Sequence, residues 1–155
     1  MGSRFILSLW LVFLASAGWA TCSEDSVSLR GPFGEARFRV AVADTAAERS
    51  RGLMFVDQMA QGVGMLFVYD NEQPVAFWMR NTLIPLDMIF ADAEGRVIKV
   101  HENAVPHDET PIPSDGPAQF VLEINGGLSR RLGIAAGAEM RHPAIAQASW
   151  PCPAE

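Results

Sequence analysis

The stretch Ala36-Arg37-Phe38-Arg39-Val40-Ala41-Val42 (ARFRVAV) alternates without a break. Phe38, Val40 and Val42 fall on one side, Arg37 and Arg39 on the other. That period of two is the mark of a half-buried β-strand. Upstream, Val27 to Arg30 is a shorter strand, joined to the first through the turn residues Gly31-Pro32-Phe33-Gly34. Downstream, Arg96 to His101 (RVIKVH) alternates again, and Met65 to Tyr69, Val75 to Arg80, Leu86 to Ala91 and Phe120 to Ile124 complete the series. Short strands separated by Gly, Pro, Asn and Asp predict a mainly β sandwich or barrel. Two short helices interrupt them. Thr45-Ala46-Ala47-Glu48 has the form of a capping box and Gly52 a stop signal; Leu128 to Leu132 lies between Gly126-Gly127 and Gly133. Pro106 to Pro117 carries four prolines and no strand pattern, so it reads as a stiff loop.

The first twenty residues stand apart. Arg4 is their only charge, Phe5 to Leu14 is almost wholly apolar, and small residues follow to Ala20. This is the layout of a secretory signal peptide, with cleavage expected after Ala17 or Ala20. The apolar run is short of the roughly 20 residues a spanning helix needs. Residues 21–155 are then one exported domain, periplasmic or extracellular, without stable membrane association after cleavage. The whole chain of 155 residues has 12 basic and 18 acidic residues, a net charge of −6, and loss of Arg4 makes it −7. An acidic domain with no basic run repels phosphate backbones, so nucleic acid is excluded as a partner. An exported chain with two cysteines, Cys22 and Cys152, is expected to pair them, since domain termini often meet at the surface.

Arg51-Gly52-Leu53-Met54, GMLFVY from Gly64 to Tyr69 and FWMRNTLIPLDMIFAD from Phe77 to Asp92 together resemble one known family, the bacterial and archaeal domain of unknown function 192. The likeness continues through Glu102-Asn103-Ala104, TPIPS from Thr110 to Ser114, VLEIN from Val121 to Asn125 and Leu132-Gly133-Ile134. It spans roughly Ala36 to Met140. The resemblance implies a jelly-roll-like β fold, often exported, and brings no established activity. His101, His107 and the two terminal cysteines lie outside its pattern.

Three constellations could carry chemistry. Asp87 sits inside Leu86-Asp87-Met88-Ile89-Phe90, and Glu123 lies between Leu122 and Ile124. A carboxylate in such surroundings needs a cation or several donors. Arg51, Arg80 and the Asn81 amide are the candidate partners of Asp87. Held as a pair, the two acids could divide into a general acid and a general base, with Asn81 or His101 assisting; held by structural arginines, they are scaffold. Second, alternation along Phe77 to Asn81 turns Trp78 and Arg80 outward together, which suits stacking on a flat ligand or a sugar ring. Asn81 and Ser114, the latter in the proline-rich loop, would complete that surface. Third, His101, His107 and Asp108 are weak candidates for a metal, at a spacing that matches no metal signature. The methionines are better read as core filling than as copper ligands. No nucleophile elbow, Cys-x-x-Cys, zinc-protease or phosphate-loop motif is present.

The sequence therefore points first to a non-catalytic envelope binding domain for a carbohydrate or another envelope component, with no cofactor. An enzyme using Asp87 and Glu123, and a periplasmic copper or zinc binder, are the alternatives.

Overall fold

The computed structural model describes residues 22–154, so the expected signal peptide lies outside the described residues. The elements run β1 (Ser26–Gly31), β2 (Gly34–Ala43), α1 (Ala46–Arg51), β3 (Val63–Phe77), β4 (Leu86–Ala91), β5 (Val97–Ala104), β6 (Ile112–Asn125), α2 (Leu128–Leu132) and β7 (Glu139–Arg141). All seven strands join one sheet in the order β5-β4-β6-β3-β2-β1-β7. The fold is mainly β, a curled half-barrel with two short helices.

Only β2 and β3 pair in parallel, and α1 lies on the connection between them; the other pairings are antiparallel. Curling brings the two edges of the sheet together at one end. There Val97 donates to Ala138 O (2.8 Å), Gly137 to Val97 O (2.8 Å) and Met140 to Gly95 O (2.7 Å). The ends of the chain are tied by a Cys22–Cys152 disulfide with Cα atoms 5.7 Å apart. Beside it the Trp150 ring is flanked by Arg141, 3.9 Å from its centroid, and Arg30, at 4.7 Å. Among the described residues no helix is long and apolar enough to cross a membrane.

The sheet is covered on both faces. Inside the curl, Val27, Leu29, Phe38, Val40, Leu66, Ile89, Phe120, Leu122 and Ile124 form one core with Ile134, Met140 and Ile145. On the outer face Phe67, Leu86, Met88, Phe90 and Val121 form a second, roofed by Leu53, Met79 and Ile112. Every residue of β4 is buried as a result. Burial on both faces makes β4 and β6 read as apolar runs rather than alternating ones.

Two expectations are corrected. Met65 to Tyr69 and Val75 to Arg80 belong to one strand, β3, which stops at Phe77. Its polar middle, Asp70 to Gln73, is exposed, and the pairing with β6 shifts there, so the apolar pattern is interrupted while the backbone stays extended. The proline-rich loop ends at Pro111, because Ile112 to Pro117 is the first part of β6. Pro113 and Pro117 lie opposite Ala76 and Pro74, beside the irregular stretch of that ladder. A proline cannot donate to a regular ladder but is tolerated at such a bulge.

Candidate functional site

Alternation along two neighbouring strands sends the two acids to opposite faces. Asp87 stands opposite Ile124, and Glu123 opposite Met88. Asp87 therefore belongs to the inner face and Glu123 to the outer one. Lying on opposite faces of the sheet, they do not meet among the described residues, which removes the geometric basis for pairing them as acid and base.

Asp87 is fully buried. Its Oδ1 accepts from the backbone N–H of Asn103 (2.8 Å) and of Gly127 (2.7 Å), and its Oδ2 from the Ser129 N–H (2.8 Å) and hydroxyl (2.5 Å). Gly127 has φ +76° and Asn103 φ +52°, left-handed conformations that glycine and asparagine adopt most readily. The charge is satisfied by three amides and a hydroxyl, and no hydrogen bond or ion pair joins Asp87 to Arg51, Arg80 or Asn81 among the described contacts. This carboxylate welds the start of α2 and the end of β5 to β4.

Glu123 is different. The residue is 4% exposed, and its carboxyl has no hydrogen bond among the described residues but is not sealed off, since no fully buried side-chain polar atom there lacks a partner. Burial pushes it up to about 8. At neutral pH it is a carboxylic acid, a donor as well as an acceptor. It lines a cleft of about 40 Å³, room for a water or one small group.

Two segments of the chain build that cleft. The first is Arg49 to Met54, the end of α1 and the turn after it; the second is Phe77, Trp78 and Thr82, with Phe67 of β3 behind. Leu53, Phe67, Thr82 and Glu123 are buried and form its depth, whereas Ser50, Arg51 and Trp78 are exposed at its mouth. Gly52 ends α1 at φ +49°, and a Cβ there would lie 3.2 Å from Phe67 Cζ, so the tight passage from helix to cleft wall favours glycine. Arg49 is held by carbonyls, donating to Asp44 O and to Val68 O (2.8 Å), with its guanidinium 5.0 Å from the Tyr69 centroid. The Thr82 hydroxyl donates to Arg80 O (3.2 Å).

The loops above the cleft are locked to one another. Phe55 donates to Asn81 O (2.9 Å), Met79 to Asp108 O (2.8 Å), and His107 to Met79 O (3.0 Å) and Thr82 O (3.2 Å). Phe55, Asn81 and His107 all hold positive φ. For Phe55 (φ +66°), a bulky residue, that is a strained conformation of the kind found at functional sites. Phe55 is also 65% exposed.

The other sequence candidates have definite places. Trp78 is 46% exposed, and the Arg80 guanidinium lies 5.4 Å from its ring centroid while pairing with Glu109 at 3.4 Å. Met79 between them is fully buried, so the in-out pattern read from the sequence persists past the end of β3. Asn81 Nδ2 reaches Met54 Sδ at 4.0 Å. Ser114 is buried and spends its hydroxyl on the chain, accepting from Val75 N (3.1 Å) and donating to Gly116 O (2.6 Å). His101 and Asp108 border a groove of about 350 Å³ together with Lys99 and Thr110, and His107 is not in its wall. Among the described residues no three His, Cys, Asp or Glu side chains gather in a metal-binding group. A groove of about 690 Å³ lies beside the disulfide. Its His142 is engaged at both nitrogens, with Glu24 O (3.0 Å) and Ala144 N (3.1 Å).

Sequence reasoning favoured structural arginine partners for both acids, offered their pairing as an acid and a base only as the alternative, and missed the cleft. Arg51 to Met54 and Phe77 to Thr82 were visible as motifs. Their convergence on one buried acid depends on the α1 connection, which no local pattern reports.

The family model DUF192, described as "Uncharacterized ACR", matches residues 29–142. A crystal structure of a protein of unknown function from Novosphingobium aromaticivorans is 47% identical, with a TM-score of 0.73, covering 74% of this chain and 82% of that one. A chain from Sinorhizobium meliloti, described as a candidate transcription regulator, is 40% identical with a TM-score of 0.73, over 79% of this chain and 96% of that one. No curated protein matches.

Proposed function

The chain belongs to the DUF192 family, whose description is only that it is uncharacterised, and on that premise we propose that it is a non-catalytic binding domain of the cell envelope that takes a carbohydrate-class ligand at the Glu123 cleft and across Trp78. The observation that carries the reading is Glu123, a buried carboxyl at the bottom of a cleft with no hydrogen-bond partner among the described residues. Among the described residues no fully buried side-chain polar atom lacks a partner, so the Glu123 oxygens reach the cleft, and a ligand group entering it would replace the water there. Trp78 at the mouth offers a ring on which a sugar can lie.

Binding is favoured over catalysis because the two candidate acids lie on opposite faces of the sheet. The Cys22–Cys152 disulfide supports an oxidising compartment, hence export. The regulator description of the Sinorhizobium chain is not carried over, since a net charge of −6 works against binding phosphate backbones.

The test is a thermal-shift screen of the purified, disulfide-intact protein against neutral, amino and N-acylated saccharides and peptidoglycan fragments. A ligand that binds only the folded state raises the melting temperature in proportion to RT ln(1 + [L]/Kd). Stabilisation by at least one member, lost in Trp78→Ala, is expected. A flat response across the panel overturns the reading.

A further inference from the structure

Strand β5 pairs with β4 along one side. On its other side only the start is used, where Val97 exchanges hydrogen bonds with Gly137 and Ala138. The direction of the remaining backbone groups follows from the ladder. The Gly126 N–H donates to O of Pro85, just before β4 (2.9 Å), so alternation turns the odd-numbered residues of β4 toward β6 and the even-numbered ones toward β5. Even-numbered Phe90 and Met88 stand opposite Lys99 and His101. Those two residues spend their N–H and C=O on β4, and Val100 between them turns its own pair to the open side. Glu102, next in the alternation, does the same. Both are only partly buried, and no hydrogen bond to these four backbone groups is present among the described residues.

A groove accompanies this edge. Lys99 and His101 share the outer face with Phe90 and Met88, and they wall a space of about 350 Å³ with buried Met79 and Ile112 as its depth and exposed Val105 at its rim. It shares no lining residue with the Glu123 cleft. The His101 imidazole has no hydrogen bond or ion pair among the described residues. Edge strands are commonly guarded by free charge. Here the two formal charges are cancelled within the chain, Lys99 by Asp115 (2.7 Å) and Glu102 by Arg130 (2.5 Å).

We propose that β5 is a docking edge for an extended peptide segment of a partner protein, which adds as a strand along Val100 and Glu102 and places an uncharged side chain in the groove against Met79 and Ile112. The edge itself selects the occupant. Only an extended polypeptide repeats N–H and C=O groups at the spacing of a ladder, with alternate side chains turned to one face. A sugar or a lipid cannot reproduce that row.

The experiment is residue-by-residue amide hydrogen exchange on the purified, disulfide-intact protein. It is run alone and with acetylated, amidated pentapeptides of alternating threonine and valine, whose central residue is varied through valine, leucine, phenylalanine, serine, lysine and glutamate. In the free protein the Val100 and Glu102 amides should exchange fast and those of Lys99 and His101 slowly. Saturation with at least one peptide of uncharged centre should slow Val100 and Glu102 by about tenfold or more, and the same peptide N-methylated at alternate amides should not. Val100→Pro removes an N–H that holds no ladder bond, a place where an edge strand tolerates proline. If it melts like the wild type, it should bind about tenfold more weakly or worse. Val105→Arg leaves the ladder untouched and crowds the groove, so it should weaken binding as well. Slow exchange at Val100 in the free monomer means that the edge is already satisfied and overturns the proposal. Binding by none of the peptides, or protection around Trp78 and Glu123 instead, also overturns it. Protection of Val100 that grows with protein concentration, with a dimeric mass in solution, makes the occupant a second copy and overturns the partner assignment.

Discussion

Asp87 and Glu123 are both acids on central strands, one residue apart in register, and they meet burial in opposite ways. Asp87 sits at the centre of three amides and a hydroxyl, all donating to its carboxyl. Asp87→Ala leaves those donors buried and unpaired, so unfolding in urea should show a loss of roughly 2–5 kcal/mol. A variant as stable as the wild type would mean that water replaces the carboxylate at no cost. Glu123 has no such donors, and burial raises it from 4.5 to about 8. Between those values the folded chain holds a proton that the unfolded chain has lost. Stability should therefore fall as pH rises through this window, by about 1.4 kcal/mol per unit at most, and level off above the folded value. Glu123→Gln should flatten that slope in denaturation curves measured across the window. An unchanged slope would place its origin in other groups.

At the scale of the element, α1 shows how a six-residue helix is made to hold. Isolated helices this short are marginal, and the segment buries none of its residues. Its start is fixed instead by a reciprocal cap: the Glu48 N–H donates to Thr45 Oγ1 (3.2 Å), and the Thr45 N–H donates to the Glu48 carboxylate (3.1 Å). Thr45→Ala should cost about 1 kcal/mol, and Thr45→Ser very little. Because the end of α1, Arg49 to Arg51, and Gly52 after it line the cleft, ligand binding should weaken along with the helix. Paired melting and titration of the two variants will show whether cap and cleft are coupled. The helix was legible because its signals are local: Thr45, Glu48 and Gly52 lie within two turns. The proline-rich segment was only half legible, because β6 begins at Ile112 by pairing with Phe77, a residue 35 positions away.

At the scale of the molecule, the disulfide joins residues 130 positions apart. In the chain-entropy model a loop of that length is worth on the order of 5 kcal/mol, and measured values are often lower. Reduction should lower the melting temperature without changing the sheet, since Trp150 stays held between Arg30 and Arg141 on the same tail. Non-reducing mass spectrometry of the purified protein checks the bond itself. A mass with two free thiols, or a covalent dimer, would contradict it.

The sequence by itself determined the β class, six of the seven strands in part, both helices and the family, because alternation, caps and long motifs are local properties of the chain. It also identified Asp87 and Glu123 as acids needing an explanation, since each interrupts an apolar run. It did not determine β7, whose three residues carry too little pattern, or the union of the two halves of β3 across an exposed polar stretch. Nor could it tell Asp87 from Glu123. That difference depends on which face of the curled sheet each side chain enters. One face meets the amides before and at the start of α2, and the other meets the end of α1 and the Phe77 to Thr82 turn. Those partners come from distant parts of the chain, and only the tertiary structure brings them to one acid and not to the other.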